Sequence, residues 1–469
     1  MNQNNPSNVD FSRRRFLRES ALGFGSLALS GLCAEQAFSN GLALKPQHFT
    51  PRAKRIIFLH MQGGQSQMDL YDPKPKLNGL DGKPVDSKRL SDQGGHGGKK
   101  YKGSPFSFST HGKSGVHLSE LVPHLGKHAD DICLIRSMHT DTANHSNAML
   151  LFHTGAQNFI RPSLGSWVLY GLGAENNSLP GFITIRPSTN DGSRLYSNAF
   201  LPARYQAATL GNSRVPASKA TFRHLKSAQW SPEQQKAQLG LTQSLNRSFL
   251  DKTATTPELE GVIQSYELAF RMQTEAPELF DFSDEPQSIL DMYGVDQKET
   301  DAVARMCLMA RRFAEAGVRF IQVNHTGWDH HGGIDKSIPR TSRSMDQPTA
   351  ALLQDLKQRG LLDETLVISA GEFGRTTTGE GKEERLGRGH NAKAFTIWMA
   401  GGGVRGGLEY GLTDELGHTA IENRVHVHDL HATMLHLLGL DHERLTYRYA
   451  GRDFRLTDVY GNVVHDIIA

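Results

Sequence analysis

A short hydrophobic segment followed by a cluster of metal-type side chains constrains the fold of this chain most. Residues 318–323 read Val-Arg-Phe-Ile-Gln-Val, which is rich in β-branched and aromatic residues and predicts a strand. Residues 324–333 follow, contain Asp329, His330 and His331, and end in two glycines. Ligands bind outside the carboxyl ends of strands in an open α/β sheet. A strand followed directly by Asp329, His330 and His331 therefore predicts a ligand-binding site. Imidazole and carboxylate together suit zinc, iron or manganese, and the alternative is a polar loop with solvated histidines.

The segments after this strand alternate between helix and strand. A predicted helix over 349–359 ends at Gly360 and leads into a buried strand over 366–370, which gives a βαβ unit with a parallel pair. The other predicted elements are strands at 55–59, 132–136 and 394–400, helices at 118–128 and 425–438, and an amphipathic helix carrying Ala302, Met306, Met309 and Phe313. This pattern predicts an α/β fold with a mostly parallel central sheet.

The composition is that of an ordinary globular protein. Of 469 residues, 38% are hydrophobic and 22% are charged, and the net charge of +3 is too small to indicate nucleic acid as a partner. We expect residues 44–469 to form one domain. Within it, residues 79–115 predict a mobile surface loop because they are rich in Gly, Lys, Ser and His. Residues 190–260 are mixed and polar, and they predict an insertion.

The amino terminus has the pattern of an export signal. Ser12-Arg-Arg-Arg-Phe-Leu-Arg18 fits the twin-arginine motif, and the apolar run at 21–32 is too short and too rich in Gly and Ser to span a membrane. The alternative is a basic tail before a helix. We therefore expect residues 1–43 to be a signal peptide read by the twin-arginine translocase. The mature protein is then periplasmic or extracellular, with no stable membrane span after cleavage.

Five short motifs are distributed along the chain: Met61-Gln-Gly-Gly-Gln-Ser-Gln-Met-Asp69, Ser163-Leu-Gly-Ser-Trp167, Gly327-Trp-Asp-His-His331, Gly371-Glu-Phe-Gly-Arg-Thr376 and Gly451-Arg-Asp-Phe454. Together they resemble the uncharacterised family numbered 1501 among domains of unknown function. The strand that ends in the acidic turn at Glu372, and the segment 429–439, are similar to the sulfatase and alkaline phosphatase superfamily. The resemblance covers about Arg52 to Ala469. It implies an alkaline-phosphatase-like α/β/α sandwich.

The resemblance also implies a set of site residues. Superfamily members hold two metal ions with Asp and His ligands. Asp329 and His331 match the ligands of one ion, Glu372 matches the Asp of an Asp-His-Gly turn, and His390 matches a later histidine. Arg375 would neutralise the oxyanion group that is transferred. The implied cofactor is a divalent metal ion, zinc first, with calcium and manganese as alternatives.

The sequence departs from the superfamily pattern at the second ion. The first predicted strand ends at His60 where an Asp ligand is expected, and Glu372-Phe373 replaces Asp-His. These replacements favour one metal ion over two. A Cys-x-Pro-x-Arg motif is absent from the sequence, which excludes a formylglycine sulfatase.

The position of the nucleophile has two candidates. Asp141-Thr142-Ala143 resembles the Asp-Ser-Ala of alkaline phosphatases, which makes Thr142 the nucleophile. Counting back from Thr154-Gly155 as in sulfatases gives His145 instead, as a base or a metal ligand. If the chain is already helical there, the two residues share one face. The alternative is a structural role, in which Thr142 caps the helix.

Together these features predict an exported metal-dependent hydrolase of phosphate or sulfate esters. Its substrate would be a small anionic ester or a sulfated or phosphorylated polymer. The alternative is a relative without turnover that binds an anionic ligand or a partner protein, because a fold does not fix a function.

Overall fold

A twisted central sheet is the framework on which the rest of the chain is built. The computed structural model describes residues 42–86, 98–222 and 276–469, together with scattered positions between 231 and 272. The predicted signal peptide lies outside the described residues up to residue 41. So do residues 87–97 of the predicted loop and much of the predicted insertion. Leu44–Ala469 form one compact unit.

The strands are β1 Arg55–Met61, β2 Phe108–His111, β3 Val116–Ser119, β4 Ile132–His139, β5 Phe182–Ile185, β6 Ala208–Leu210, β7 Phe320–His325, β8 Thr365–Ala370, β9 Gly374–Glu380, β10 Gly387–Asn391, β11 Phe395–Ala400, β12 Leu408–Tyr410, β13 Leu412–Thr413, β14 Ala420–Glu422, β15 Val425–His426, β16 Tyr447–Tyr449 and β17 Arg452–Phe454. The α-helices are α1 Gln67–Leu70, α2 Pro75–Asn78, α3 His145–Thr154, α4 Leu164–Leu172, α5 Gln287–Tyr293, α6 Asp301–Glu315, α7 Ile334–Gln358 and α8 Val427–Leu437. Short 3-10 turns include Leu125–His128 and Gly192–Leu195.

The main sheet has nine strands in the order β12-β4-β11-β8-β1-β7-β5-β6, with β15 beside β4. Every pairing in it is parallel except those of β11, which runs antiparallel to both of its neighbours. The prediction of a mostly parallel sheet is therefore confirmed. The predicted adjacency of the strands over 318–323 and 366–370 is wrong. β1 lies between β7 and β8 and is parallel to both.

Helices cover both faces of this sheet, and the alternation of side chains along β1 shows why. Ile57 and Leu59 point to the face where residues of α6 and α7 complete the core. Phe58 points to the other face, where its ring stacks on Phe152 of α3 at 5.5 Å between centroids. Burying each such side chain contributes about 1.5–3 kcal/mol, which holds the three layers together. Of the predicted core stripe of α6, Met306, Met309 and Phe313 are buried, whereas Ala302 in the first turn is exposed.

The predicted helix over 118–128 is wrong. The chain there forms β3 up to Ser119, and Pro123 precedes the short 3-10 turn Leu125–His128. The carboxylate of Asp346 in α7 accepts the backbone N–H groups of His124 and Leu125, both at 2.8 Å. A proline and a capping carboxylate from a distant helix favour a tight turn over a continuous helix.

Two segments predicted as loop and insertion are partly built into the fold. In the described part of 79–115, β2 pairs with β3, and Tyr101 is buried in a small cluster with side chains of α1, α2 and Leu416. In the described part of 190–260, β6 extends the central sheet beside β5. Both segments therefore pack against the core in the places that the structure describes.

The hairpin of β9 and β10 was not predicted. It follows β8 directly, is antiparallel, and places His390 opposite Arg375 in its register. The hairpin brings His390 back to the carboxyl ends of β1, β7 and β8. Among the helices that the structure describes, none has the length and apolar character needed to cross a membrane.

Candidate metal centre

Four side chains converge at the carboxyl ends of the central strands. Their ligand atoms all lie within 4.8 Å of one another, and they belong to His145, Asp329, His331 and His390. Oδ1 of Asp329 is the common point. It lies 2.8 Å from Nε2 of His331, and 3.2 Å from Nε2 of both His145 and His390.

Three separate parts of the fold supply these side chains. Asp329 and His331 follow β7, as the sequence predicted for this strand. His145 is the first residue of α3, whose N-cap Asn144 accepts from the N–H of Asn147 at 3.3 Å. His390 lies in β10. The cluster therefore depends on the tertiary fold, because its members come from a loop, a helix start and a hairpin.

Each of the three imidazole rings is oriented by an acceptor on its far side. An acceptor at Nδ1 fixes the tautomer, so that the ring donates there and presents a lone pair at Nε2. The donor and acceptor pairs are His145 Nδ1 to Glu372 Oε1 at 2.6 Å, His331 Nδ1 to Glu380 Oε2 at 2.9 Å, and His390 Nδ1 to the carbonyl oxygen of Ala143 at 2.8 Å.

The lone pairs at Nε2 need a positive charge between them. Nε2 of His331 and Nε2 of His390 lie 2.9 Å apart, and neither ring has a second proton to donate when it is neutral. Nε2 of His145 is buried and faces Oδ1 of Asp329 at 3.2 Å. A divalent cation satisfies all of these nitrogens at once. Three imidazoles and one carboxylate are a donor set that suits zinc, manganese or iron.

Glu372 is held rigidly behind His145. Its carboxylate is fully buried and accepts the backbone N–H of Gly63 at 3.1 Å on both oxygens. Gly63 has a φ of +114°, and a Cβ there would lie 2.5 Å from the backbone nitrogen of Asp329. A glycine is therefore required where β1 ends. Glu372 lies behind the cluster, with His145 between its carboxylate and the other ligand atoms.

Arg375 is a buried support for Asp329. Its Nη2 donates to Asp329 Oδ1 at 2.7 Å, and Nε donates to the carbonyl oxygen of Gly64 at 2.9 Å. Nη2 also contacts the carbonyl oxygens of Gly63 and Trp328, and Nη1 donates to the carbonyl oxygen of Arg388. The side chain is only 1% exposed. Its donors are thus occupied by protein oxygen atoms.

The electrostatics of the site favour a cation. Burial opposes the protonation of His145, but the carboxylates of Asp329 and Glu372 outweigh it and raise the pKa of His145 to about 9. Burial likewise opposes ionisation of Asp329, yet His145, His390 and Arg375 hold its pKa well below the ordinary value. Without a metal, a proton on His145 therefore supplies the charge that these carboxylates attract.

A family model described as "Protein of unknown function (DUF1501)" matches residues 53–468. The chain belongs to the DUF1501 family. No curated protein is similar enough in sequence to count as a relative.

Solved structures similar to this DUF1501 protein include a sulfatase, a lipoteichoic acid synthase and an alkaline phosphatase. The PsFucS1 sulfatase from Pseudoalteromonas sp. is 13% identical, with 83% of this chain and 68% of that chain covered and a TM-score of 0.37. The lipoteichoic acid synthase LtaP from Listeria monocytogenes is 11% identical, with 90% and 80% covered and a TM-score of 0.39. The alkaline phosphatase from the Antarctic bacterium TAB5 is 11% identical, with 83% and 98% covered and a TM-score of 0.31.

Thr142 lies outside α3, three residues before its first residue His145. The N-cap of this helix is Asn144, so the premise that Thr142 shares a helical face with His145 does not apply. Nor does Thr142 cap the helix. Its Oγ1 accepts the backbone N–H of Asn144 at 3.2 Å in a local turn. Ala143, the next residue, orients His390 through its carbonyl oxygen.

The residues where the resemblance implied a second metal ion do not form a second cluster of ligands among the described residues. Nδ1 of His60 lies 3.4 Å from Oδ1 of Asn324, and its Nε2 lies 4.0 Å from Glu372. The ring of Phe373 packs against both His145 and His390 at 4.7 Å between centroids. An apolar ring thus fills the place next to the cluster where a second histidine was expected.

Sequence reasoning did not identify Glu380, the residue that orients His331. Glu380 ends β9 in a stretch of charged residues, and it differs from its neighbours only in its position on the hairpin. No sequence signal marks it, because its role depends on the pairing of β9 with β10.

Proposed function

We propose that this DUF1501 protein is an exported metal-dependent hydrolase of phosphate or sulfate esters. The observation that carries the proposal is the convergence of three Nε2 atoms on one carboxylate oxygen at the carboxyl ends of β1, β7 and β8. Open α/β folds place their sites there. The proposed substrate is a small anionic ester or a sulfated or phosphorylated polymer.

The ion would be held by His145, Asp329, His331 and His390. A divalent metal ion supplies Lewis-acid polarisation of an ester oxygen when it is bound. The chain's own contribution is to fix the ligands before the ion arrives. Glu372 and Glu380 hold two of the rings through hydrogen bonds of 2.6 and 2.9 Å, which keeps their lone pairs aimed inward.

Thr142 is our proposed nucleophile. A free threonine hydroxyl is a weak nucleophile and needs activation by a nearby base or cation. Thr142 is adjacent in sequence to Ala143, whose carbonyl oxygen contacts the ligand His390. The residue Thr142 is half-buried. Attack by Thr142 would not need a formylglycine, for which the sequence has no motif.

The four protein ligands of the candidate metal centre also fit a second function, in which the metal ion is structural and the protein has no turnover. Four protein donors are the number that closes a structural zinc site, whereas catalytic zinc sites keep a position open. A closed site would make the protein a binding or structural relative without turnover. Manganese takes more than four ligands and would leave room for a substrate oxygen.

Hydrolysis assays with the metal-loaded full chain distinguish the two functions. We expect turnover of 4-nitrophenyl phosphate or 4-nitrophenyl sulfate in the presence of zinc or manganese. We expect none for the double variant Asp329→Ala, His331→Ala. If neither ester is turned over while the wild-type protein retains its metal ion, the hydrolase proposal is wrong and the closed-site function is favoured.

A further inference from the structure

A short turn lies between the two chain segments that carry His145 and Asp329. We call residues 191–195, which include the 3-10 turn Gly192–Leu195, the 191–195 turn. On one side Oδ2 of Asp191 accepts from Nε2 of Gln62 at 2.9 Å. The carbonyl oxygen of Gln62 in turn accepts the N–H of Trp328, the residue before Asp329, at 3.2 Å. This side of the turn is therefore tied to the segment that carries Asp329.

The other side of the turn is tied to the start of α3. Nη2 of Arg194 donates to the hydroxyl of Ser146 at 3.3 Å, and Ser146 directly follows His145. Leu195 packs on Met149 and Leu150 one turn further along the same helix. The 191–195 turn thus bridges the two chain segments that supply His145 and Asp329.

Arg194 keeps donor capacity that Arg375 lacks. Its two hydrogen bonds, to Ser146 at 3.3 Å and to Asp191 at 3.4 Å, both use Nη2 and are at the long end of the range. Its Nε is buried and has no hydrogen-bond partner among the described residues. The side chain is 33% exposed, whereas that of Arg375 is 1% exposed with its donors on protein oxygens.

We propose that Arg194 binds the tetrahedral oxyanion group of the ligand that occupies this site. The inference rests on the proposed function, since it names the residue that recognises the anionic group next to the metal ion. Guanidinium is suited to the task because its planar set of donors matches two oxygens of a phosphate or sulfate. Asp191 holds the guanidinium in place through a long contact that an incoming anion can outcompete.

Phosphate and sulfate share this chemistry, so both are tested as inorganic anions. Isothermal titration calorimetry of the metal-loaded full chain gives the dissociation constant for each, and elemental analysis gives the metal content of the same samples. Arg194→Gln should weaken binding of at least one anion by roughly tenfold or more, as loss of a charge-assisted hydrogen bond does. Arg194→Lys, which keeps the charge, should recover part of the affinity. Metal content should not change in either variant.

Arg343→Gln is the matched control. Arg343 is an exposed arginine of α7 that pairs with Glu299 at 3.2 Å, and among the described residues it makes no hydrogen bond or ion pair with the 191–195 turn. It should bind both anions as the wild-type protein does. The inference is wrong if Arg194→Gln binds phosphate and sulfate as tightly as the wild type. It is also wrong if Arg343→Gln loses as much affinity, or if the metal-loaded wild type binds neither anion. The proposed function is judged separately, from the metal content and the ester hydrolysis of the wild-type protein.

Discussion

Nε2 of His331 lies 2.9 Å from Nε2 of His390, although each ring already donates its Nδ1–H to an oxygen on the other side. Two neutral rings in this arrangement place lone pairs against each other. A cation between them removes that repulsion, and Oδ1 of Asp329 lies within 3.2 Å of both nitrogens to complete its ligands. The relation between these two histidines is the strongest reason to regard the cluster as a metal centre.

Glu380→Ala should weaken metal binding without removing a ligand. The substitution deletes the acceptor that lies 2.9 Å from Nδ1 of His331, so the ring is free to turn and its lone pair is no longer aimed at the site. Loss of such a partner lowers metal affinity by roughly 10- to 100-fold. Competition with a chelator measures this. Glu383→Ala in the same hairpin is the control and should match the wild type, because Glu383 is exposed and pairs with the exposed Lys100.

Thr142→Ala tests the nucleophile separately from the metal. We expect kcat on the active ester to fall by a factor on the order of a thousand, as loss of a covalent nucleophile does, with unchanged metal content. His145→Ala should instead lose metal, because its Nε2 is one of the convergent atoms. Near-normal kcat in Thr142→Ala would transfer the role to another group, with His145 the first candidate.

His431 should make the protein less stable in acid. Burial in α8 lowers the pKa of His431 to about 3, while an unfolded chain has a histidine pKa of about 6.5. Between these values the unfolded state binds the proton and the folded state does not. The contribution of the buried, neutral His431 to the stability of the folded state is therefore complete above about pH 6.5. It declines as the pH falls towards 3.

Urea unfolding of the wild type and of His431→Gln at about pH 7.5 and about pH 5 measures this effect. The difference in the free energy of unfolding between the two proteins should be smaller at the lower pH. Comparing the two proteins removes the contribution of metal release, which both share. If the two proteins differ in the free energy of unfolding by the same amount at both pH values, the lowered pKa of His431 is contradicted.

Arg13 and Arg14 should be required for export. The twin-arginine receptor reads this pair as an address, so a Lys-Lys replacement keeps the charge and removes the signal. We expect the precursor to accumulate in the cytoplasm on fractionation. A Lys replacement of Arg18 is the control, and its export should be normal. Undiminished export of the Lys-Lys variant would show that another route is used.

The central strands were predictable from the sequence because their side chains are buried on both faces. The runs in β1, β4, β7, β8 and β11 are apolar and bounded by turns, and each was located to within a few residues. Asp329 and His331 could be predicted as site residues because they come just after β7. They lie two residues apart, so placing them near one another requires no knowledge of the tertiary fold.

The rest of the site depends on contacts that local patterns do not encode. The residues of β9 and β10 are mostly glycine, threonine and charged residues, so the hairpin that carries His390 has no hydrophobic alternation. Glu380 and Arg194 gain their roles from pairing and packing across the fold. The helix wrongly expected over 118–128 is another such case, since its turn is capped by Asp346 from 222 residues away.

Elemental analysis of the full-length protein, purified without chelator, is the most direct test of the metal centre. We predict about one divalent transition-metal ion per chain in the wild type, and near-complete loss in the double variant Asp329→Ala, His331→Ala, which removes two of four ligands. The double variant Asp141→Ala, His426→Ala removes a 3.1 Å contact between Oδ1 of Asp141 and Nε2 of His426, which are not ligands, and should keep its metal. Full occupancy after loss of Asp329 and His331, or a wild type that takes up no metal when it is offered, would contradict the account.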